Sequence, residues 1–490
     1  MGKFNNVSYK VSWLAVLLLF LVVTAFQENV LGYLLGISFF VFALFRPKYA
    51  ILLLFMYYPI RPFIIEYVSS LRYVGDLIIF GALLRIIWNG RTNVKSLINF
   101  KTFEYGYFAF IIIGATSAIL NDISVTMVII QIRAFILLYL IYYIVSRLKI
   151  TKADIKHLLW ITIWTVIVII IQAIFEKLSV RTLFLPESWQ TMPLSSKNRV
   201  RIYGMLGNPN TLSIYLSFVF LFFFYAKKYI AGANSKLLSF LNLSVLGIII
   251  LTYSRGTWIG IIVMLAVYIV LTRKLYILKD VLKTVLVATL LFIMPVVSIT
   301  SYIESSEEGT EKVKEIQKYD QEGKSGFVDR VGKTFSDDTI TSSKKSGRLY
   351  IVEKGYEIFK DFPIIGTGFS TFGDSASLRR VSPMYEEYNI GYQFYSDNQY
   401  IQVIVQTGLL GVIAFAVFLL HMLFIYWKRR KESFSALMVS VLLSAFVMGL
   451  VYNLWEADIF GLCFFALLAI SVRSKEELMS LHASLVMKYD

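Results

Sequence analysis

Long runs of apolar residues recur along almost the whole chain, separated by short polar stretches. A run of about 18 or more apolar residues can cross a bilayer as an α-helix, whereas a membrane β-barrel shows short segments of alternating polarity. The pattern therefore predicts an all-α, polytopic transmembrane helical bundle. About fourteen spans are expected, at residues 11–26, 28–45, 49–66, 72–88, 103–120, 126–145, 158–175, 210–226, 237–253, 256–272, 283–301, 399–426, 433–452 and 454–472.

One long polar segment, residues 302–397, interrupts this pattern. Its first part, "ESSEEGTEKVKEIQKYDQEGKSG", is charged and has no apolar period, which leaves a solvated helix and disorder as alternatives. Further on, Leu349, Val352, Tyr356 and Phe359 recur at helical spacing and predict an amphipathic helix on the membrane surface or over the bundle. We expect four parts: the first part of the bundle at 1–301 with about 11 spans, the extracytoplasmic loop at 302–397, the last three spans at 398–472 and a tail at 473–490.

Charge gives the expected orientation. The chain is 57% hydrophobic and 16% charged, with a net charge of +16 and a mean hydropathy of +0.67. Excess Lys and Arg in a polytopic protein mark cytoplasmic loops, so we expect no nucleic-acid partner. The basic clusters fall in alternate loops, which predicts that both termini are cytoplasmic. The run at 11–26 has no small-residue cleavage site after it and is expected to remain as the first span.

Two arginines at the predicted outer boundary are not explained by that rule. Arg255 lies in "LTYSRGTWIG", a tight turn between two spans, where an arginine either snorkels to lipid phosphates or has a specific partner. Arg201 precedes a helix start at which Asn208 is expected to be the N-cap and Pro209 the first residue. A cation near a helix N-terminus is favourable when an anion lies between them, and guanidinium groups bind phosphate oxygens in bidentate fashion. These positions therefore suggest a phosphate site.

Asp397 opens the stretch "SDNQYIQVIVQTGLLG", where the long loop re-enters the membrane. It is either an N-cap or first-turn acid of the next helix, or a general base at the outer face. His157, His421 and His482 all fall toward the predicted cytoplasmic side, so none is expected at an outer site. The single cysteine, Cys463, excludes an intrachain disulfide. No zinc-ligand spacing or Walker lysine is present, and we expect neither a metal nor a cofactor.

At these stretches the chain resembles the O-antigen ligase/polymerase family of integral membrane glycosyltransferases. The resemblance covers about residues 195–415, and the motifs follow one another in the family's order. They are "RIYGMLGNPN", "TYSRGTWIG", "GRLYIVEKGYEIFKDFPIIGTGFSTF" and "SDNQYIQVIVQTGLLG". Family ligases typically carry histidine before the asparagine of the last motif. Asp397 stands there instead, which favours a polymerase.

The resemblance implies a metal-independent, GT-C-like transferase that polymerises polyprenyl-diphosphate-linked oligosaccharides at the outer face of a bacterial cytoplasmic membrane. It implies catalytic roles for Arg201, Arg255 and Asp397, with the arginines stabilising the diphosphate. It also suggests substrate-binding residues, namely Arg348, Arg199, Asn210 and Asn398. The expected partners are the lipid-linked donor, a glycan acceptor, membrane lipids and other polysaccharide-assembly proteins. A ligase, a lipid-linked glycan transporter and a non-catalytic scaffold remain alternatives.

Overall fold

The computed structural model describes residues 2–192, 194, 196–306, 347–378, 382–391, 393–473 and 475–486. The prediction for the charged first part of the long loop falls mostly on residues 307–326, which lie outside this set. Sixteen long helices order the described residues: α1 Gly2–Phe26, α2 Asn29–Phe45, α3 Pro47–Tyr67, α4 Val74–Gly90, α5 Thr102–Leu120, α6 Val125–Arg147, α7 Lys152–Leu178, α8 Pro209–Tyr229, α9 Ser235–Leu251, α10 Arg255–Thr272, α11 Tyr276–Ser305, α12 Arg348–Asp361, α13 Gln399–Lys428, α14 Ser433–Met448, α15 Asp458–Ser471 and α16 Lys475–Val486.

The prediction of an all-α polytopic membrane protein is confirmed. Among the described residues, nine helices are long and apolar enough to cross a membrane, and α2, α9, α14 and α15 are shorter apolar helices. These helices and α4 coincide with the fourteen predicted spans. Several boundaries differ. The helices α7 and α11 begin six and seven residues before the predicted spans, and α15 begins at Asp458, which leaves residues 449–457 as a non-helical connection. The four-part division of the chain stays a prediction.

The helices pack into one bundle around a large apolar core. Among the helix pairs in contact are α5 with α13, α2 with α4, α10 with α14 and α6 with α15. Aromatic side chains fill the centre, where the Phe418 ring packs against a tilted Tyr107 ring and, edge to face, against Trp455. The end of the bundle at which α11 ends and α13 begins is called the loop end below. The chain also passes through the loop end before α4, α6, α8, α10 and α15.

The predicted amphipathic helix exists as α12, and a face other than the apolar one named from the sequence packs against the bundle. Ile351, Gly355 and Ile358 are buried, because Gly355 brings α12 so close to α13 that a Cβ there would lie 2.5 Å from the Ile401 side chain. The face named from the sequence points outward. Its members Leu349, Val352 and Tyr356 are exposed.

A break in α13 is the least regular feature of the bundle. Gly408 has φ 55 and ψ −161 inside the helix, so the backbone groups on both sides of it lose their helical partners. The segment 363–368 supplies new ones. Thr367 and Gly368 N–H groups donate to the carbonyls of residues 405 and 406, and the N–H groups of residues 409 and 410 donate back to those of 363 and 364. Within an apolar bundle such pairing is obligatory, since an unpaired backbone group there costs several kcal/mol.

Replacing Gly368 by Ala tests how tightly this segment is held. Its φ is +97, and an added Cβ would lie 2.1 Å from the backbone of Ala118 on α5. Gly232 is a matched control, because its φ is +81 and its Cβ position has no atom within 4 Å. We expect Gly232→Ala to cost about 1–2 kcal/mol from the left-handed backbone alone and Gly368→Ala to cost clearly more. Thermal unfolding of the purified protein measures both, and equal losses would contradict the tight packing.

Candidate active site

Arg201 connects two helix starts at the loop end. It follows a one-turn helix, Ser196–Arg199, and precedes the turn Gly204–Leu206. Its Nε donates to the carbonyl oxygen of Thr252 at 2.8 Å, and its Nη2 donates to Asn210 Oδ1 at 2.6 Å. Thr252 ends α9 and Asn210 lies in the first turn of α8. The guanidinium is therefore held by two neutral oxygens, and no carboxylate hydrogen-bonds to it in these contacts.

Ser254 and Tyr452 extend this arrangement. Ser254 Oγ donates to Asn210 Oδ1 at 2.8 Å and lies 2.8 Å from the hydroxyl of Tyr452. Asn210 thus accepts from both Arg201 and Ser254 and fixes the side-chain positions at the start of α8 and α10. Tyr452 belongs to the connection 449–457, which brings that connection against the two turns.

Arg255 is the first residue of α10 and its side chain is exposed. The next residue, Gly256, packs so closely that a Cβ would lie 2.6 Å from Val451 and 2.7 Å from the Tyr452 hydroxyl. The backbone of Arg255 therefore lies beside the 449–457 connection, at the same end of the bundle as Arg201.

Arg348 and Asp397 reach the same connection from the other side. Arg348 Nη2 lies 3.7 Å from Asp397 Oδ2 and donates to the carbonyl oxygen of Val451 at 3.4 Å. The Asp397 side chain is 40% exposed, yet desolvation by the surrounding protein raises the pKa of its carboxyl above the usual value, while Arg348 and then Arg201 lower it. The two motifs approach each other at the 449–457 connection, where the Val451 carbonyl accepts from Arg348 and the Tyr452 hydroxyl contacts Ser254. Burial lowers the pKa of Arg201 itself.

Asn208 and Asn398 act as helix caps. Asn208 Oδ1 accepts from the N–H groups of residues 210 and 211, as predicted for the start of α8. Asn398 Oδ1 accepts from those of residues 400 and 401. The cap of α13 is therefore Asn398, and Asp397 lies one residue before it, with a left-handed backbone at φ 45. Asp397 is therefore not the N-cap of α13, which was one of the two interpretations drawn from the sequence.

Arg199 lies in a small pocket next to Arg201. Four cationic and two acidic side chains are among its lining residues, which are Glu176, Lys177, Val180, Arg181, Arg199, Arg201 and Glu304. Arg199 is 8% exposed and its Nη1 lies 3.1 Å from Glu304 Oε1, whereas its buried Nε has no hydrogen-bond partner among the described residues. Positive charge exceeds negative charge by two in this lining, so the pocket suits an anion.

A buried polar network near Asp397 was not predicted from the sequence. Glu456 accepts hydrogen bonds from the side-chain amides of Gln131, Gln402 and Asn453 at 2.6, 3.2 and 3.2 Å. Asn453 Oδ1 in turn accepts from Ser396 Oγ at 2.8 Å, one residue before Asp397. Burial raises the pKa of the Glu456 carboxyl. The available signal was "YNLWEAD", in which two acids stand at a boundary between two predicted apolar spans.

Two comparisons with known proteins give matches to this chain. Residues 240–416 match the family model described as O-antigen ligase. The exopolysaccharide production protein ExoQ of Rhizobium meliloti (strain 1021) is 32% identical over 109 residues, 21% of this chain and 23% of that relative. The resemblance to the O-antigen ligase/polymerase family is confirmed. The chain thus matches about a quarter of the length of this curated relative.

The matched region, residues 240–416, contains Arg255, Arg348 and the Asp397–Asn398 pair. Arg199, Arg201 and Asn210 precede this region. Arg201 Nε donates to the Thr252 carbonyl oxygen and Ser254 Oγ donates to Asn210 Oδ1, so two of these three residues contact the matched region directly. All the candidate residues thus lie at the loop end of the bundle.

The three histidines lie toward the opposite end. His157 is near the start of α7, and His421 is in the last third of α13. His482 contacts Tyr225, near the end of α8. Within the described residues no group of three or more His, Cys, Asp and Glu side chains could hold a metal ion. The expectation of a metal-independent reaction stays a prediction.

The cap assignment predicts different stability effects for two adjacent residues. Asn398→Ala is expected to lower the free energy of unfolding by about 1 kcal/mol, because two N–H groups of α13 lose their acceptor. Asp397→Asn is expected to cost less, since asparagine tolerates the left-handed backbone and an ion pair this exposed contributes little. Asn234→Ala, which removes the cap of α9, is the positive control. Equal losses of stability in the variants at 397 and 398, measured by thermal unfolding, would contradict the assignment of Asn398 as the cap.

Proposed function

We propose that this protein polymerises polyprenyl-diphosphate-linked oligosaccharide units at the outer face of a bacterial cytoplasmic membrane, during synthesis of a surface polysaccharide. The observation that carries the proposal is the meeting of two motifs from distant parts of the chain. Asn210 accepts from Arg201 and from Ser254, and Ser254 contacts Tyr452 in the 449–457 connection. Arg348, which pairs with Asp397, donates to the Val451 carbonyl in the same connection. The O-antigen ligase region supports a glycan-transfer role.

The reaction would be a single displacement. A hydroxyl oxygen of the acceptor sugar attacks the anomeric carbon of the donor, and the bond from that carbon to the diphosphate oxygen breaks. The bonding electrons leave with the diphosphate, and the hydroxyl proton goes to Asp397. One displacement inverts the configuration at the anomeric carbon. Transfer of a glycan from one lipid diphosphate to a sugar of another lengthens the chain by one block.

The negative charge that develops on the diphosphate requires fixed cations. In this proposal Arg201 and Arg255 bind the leaving group, and Arg348 lies between it and the base. Among the described residues, the hydrogen bonds of Arg201 go to neutral oxygens and not to a carboxylate. Asn210 acts by positioning Arg201, and Arg199 adds positive charge in the adjoining pocket. Asn398, whose Oδ1 caps α13, leaves its Nδ2 group for a sugar hydroxyl.

A polymerase is favoured over a ligase by Asp397, which occupies the position at which family ligases typically have histidine. The relative's name, an exopolysaccharide production protein, fits a polymer product. A transporter is expected to place ionisable residues near the bilayer midplane. Arg61 and Arg133 lie six and eight residues from the loop-end termini of α3 and α6, about 9 and 12 Å along each helix. At this depth Arg133 is close to the middle of a hydrocarbon core about 30 Å thick. Arg61 and Arg133, together with Arg85 on α4, therefore keep a transporter as the alternative function.

The direct test is reconstitution of the purified protein in vesicles with a polyprenyl-diphosphate oligosaccharide. A ladder of longer lipid-linked chains is expected. Arg201→Lys and Arg255→Lys keep the charge but lose the bidentate fork, so each should lower the rate at least about tenfold, equivalent to about 1.4 kcal/mol of transition-state stabilisation.

Arg430→Lys provides the control, since this arginine is at the opposite end of the bundle, where it donates to the carbonyl of Trp427. It should polymerise normally. Unchanged chain length and yield in Arg201→Ala and Arg255→Ala would refute the role of the arginines. Transfer to a non-lipid acceptor without ladders would identify a ligase.

The pH dependence tests Asp397 as the base. It must be ionised to accept a proton, so activity should fall on the acid side as pH drops through its raised pKa. Arg348→Ala removes the largest influence that lowers this pKa, and the acid limb should move to higher pH. Arg348→Lys should leave the limb closer to its original position. A limb that does not move in Arg348→Ala, or full activity in Asp397→Asn, would exclude this role.

A further inference from the structure

Two ion pairs at the loop end take no part in the site described above. Arg61 on α3 lies 2.5 Å from Asp458 at the start of α15. Arg133 on α6 pairs with Asp76 in the first turn of α4, where its Nε donates to Asp76 Oδ2 at 2.9 Å. The four helices are neighbours in the bundle, since α3 contacts α4, α6 and α15, and α6 contacts α4 and α15.

These charged side chains are not sealed in the core. Arg61, Asp458, Arg133 and Asp76 keep 21%, 41%, 43% and 27% of their side-chain surface exposed. On α6 the exposed neighbours one and two turns before Arg133 are apolar, and on α4 the exposed residue one turn after Asp76 is Phe80. The Asp76–Arg133 pair therefore opens at the side of the bundle, between α4 and α6, within an apolar surface.

Ionisable groups at such a surface are costly and usually mark the path of a polar substrate. If the pairs served only to hold four helices together, apolar side chains of similar volume would do so as well or better. Their composition indicates the ligand. Two cations and two anions cancel, so the cluster has no net charge, unlike the pocket around Arg199. It offers fixed donors and acceptors side by side, which matches sugar hydroxyls, because each hydroxyl both donates and accepts.

The cluster is also continuous with the candidate active site. Asp458 immediately follows the 449–457 connection, whose Tyr452 contacts Ser254 and whose Asn453 contacts Ser396. On the other flank, α3 packs against the turn Gly204–Leu206, three residues after Arg201. A glycan held on the two ion pairs would therefore extend directly to the reacting groups.

We propose that these two ion pairs bind the sugar units of the second substrate, the lipid-linked acceptor. This glycan enters from the outer leaflet between α4 and α6, and its polyprenyl chain stays in the lipid. The inference rests on the proposed polymerase function and adds the place and direction from which the acceptor approaches. Arg201 and Arg255 would bind the donor diphosphate, and the neutral cluster would bind acceptor hydroxyls.

The test varies the concentrations of donor and acceptor separately in the vesicle assay, with an acceptor that carries a blocked reducing-end linkage and cannot serve as donor. The double variant Asp76→Leu/Arg133→Leu removes both charges of one ion pair at the same time. It is expected to raise the acceptor KM about tenfold or more and to leave the donor KM unchanged. Arg133→Lys keeps the ion pair without the fork and should raise the acceptor KM by a few-fold.

The exchange Asp76→Arg/Arg133→Asp distinguishes binding from a structural role. It restores a pair between α4 and α6 but reverses the positions of donors and acceptors, so the acceptor KM should remain high although thermal stability recovers. Arg72→Ala is the control, because this exposed arginine lies just before α4 and, among the described residues, its side chain hydrogen-bonds only to the carbonyl of Ser69. It should behave as wild type.

The outcomes separate the two proposals. An unchanged acceptor KM in Arg133→Lys and in the double leucine variant overturns the acceptor site. Full rescue of the acceptor KM by the exchanged pair does the same and leaves only helix packing. If the wild-type protein forms no longer chains from any donor, the proposed polymerase function fails instead.

Discussion

The bundle depends on pairing every backbone polar group that lies within its apolar interior. At Gly408 the helix α13 breaks, and the segment 363–368 donates and accepts the hydrogen bonds that the helix has lost. That segment follows α12 directly and leads into the chain that returns to α13 at Asp397. One backbone constraint therefore fixes both the helix that begins with Arg348 and the start of the helix preceded by Asp397, and the separation of the two side chains follows from it.

The connection 449–457 gathers the groups at the loop end. Its Val451 carbonyl accepts from Arg348, and its Tyr452 hydroxyl hydrogen-bonds with Ser254 Oγ. The side-chain oxygen of Asn453 accepts from Ser396 Oγ. Glu456 is buried below these contacts and accepts from three side-chain amides. A short stretch without helical structure thus joins the turn before α10 to the turn before α13, although these turns are more than a hundred residues apart.

Long apolar runs in the sequence were enough to predict the membrane-spanning helices, because a segment in lipid must satisfy its own backbone hydrogen bonds as a helix. The cap at Asn208 was also predictable, since capping is local. Contacts between distant segments were not. Nothing in the apolar stretch around Gly408 indicates that residues 363–368 would pair with it, and nothing near Asp397 indicates Glu456. The contact of α12 with α13 was not predictable either, because Gly355, which allows the close approach, has no side chain that would mark a buried position.

Arg201 is held on two sides before any substrate arrives, by Thr252 and by Asn210. An arginine on a flexible loop would lose rotamer entropy each time it closed on an anion. Here that entropy is lost once, when the protein folds, so it does not lower the affinity of each binding event. In the proposed reaction a guanidinium oriented in this way would need little reorganisation as negative charge grows on the diphosphate.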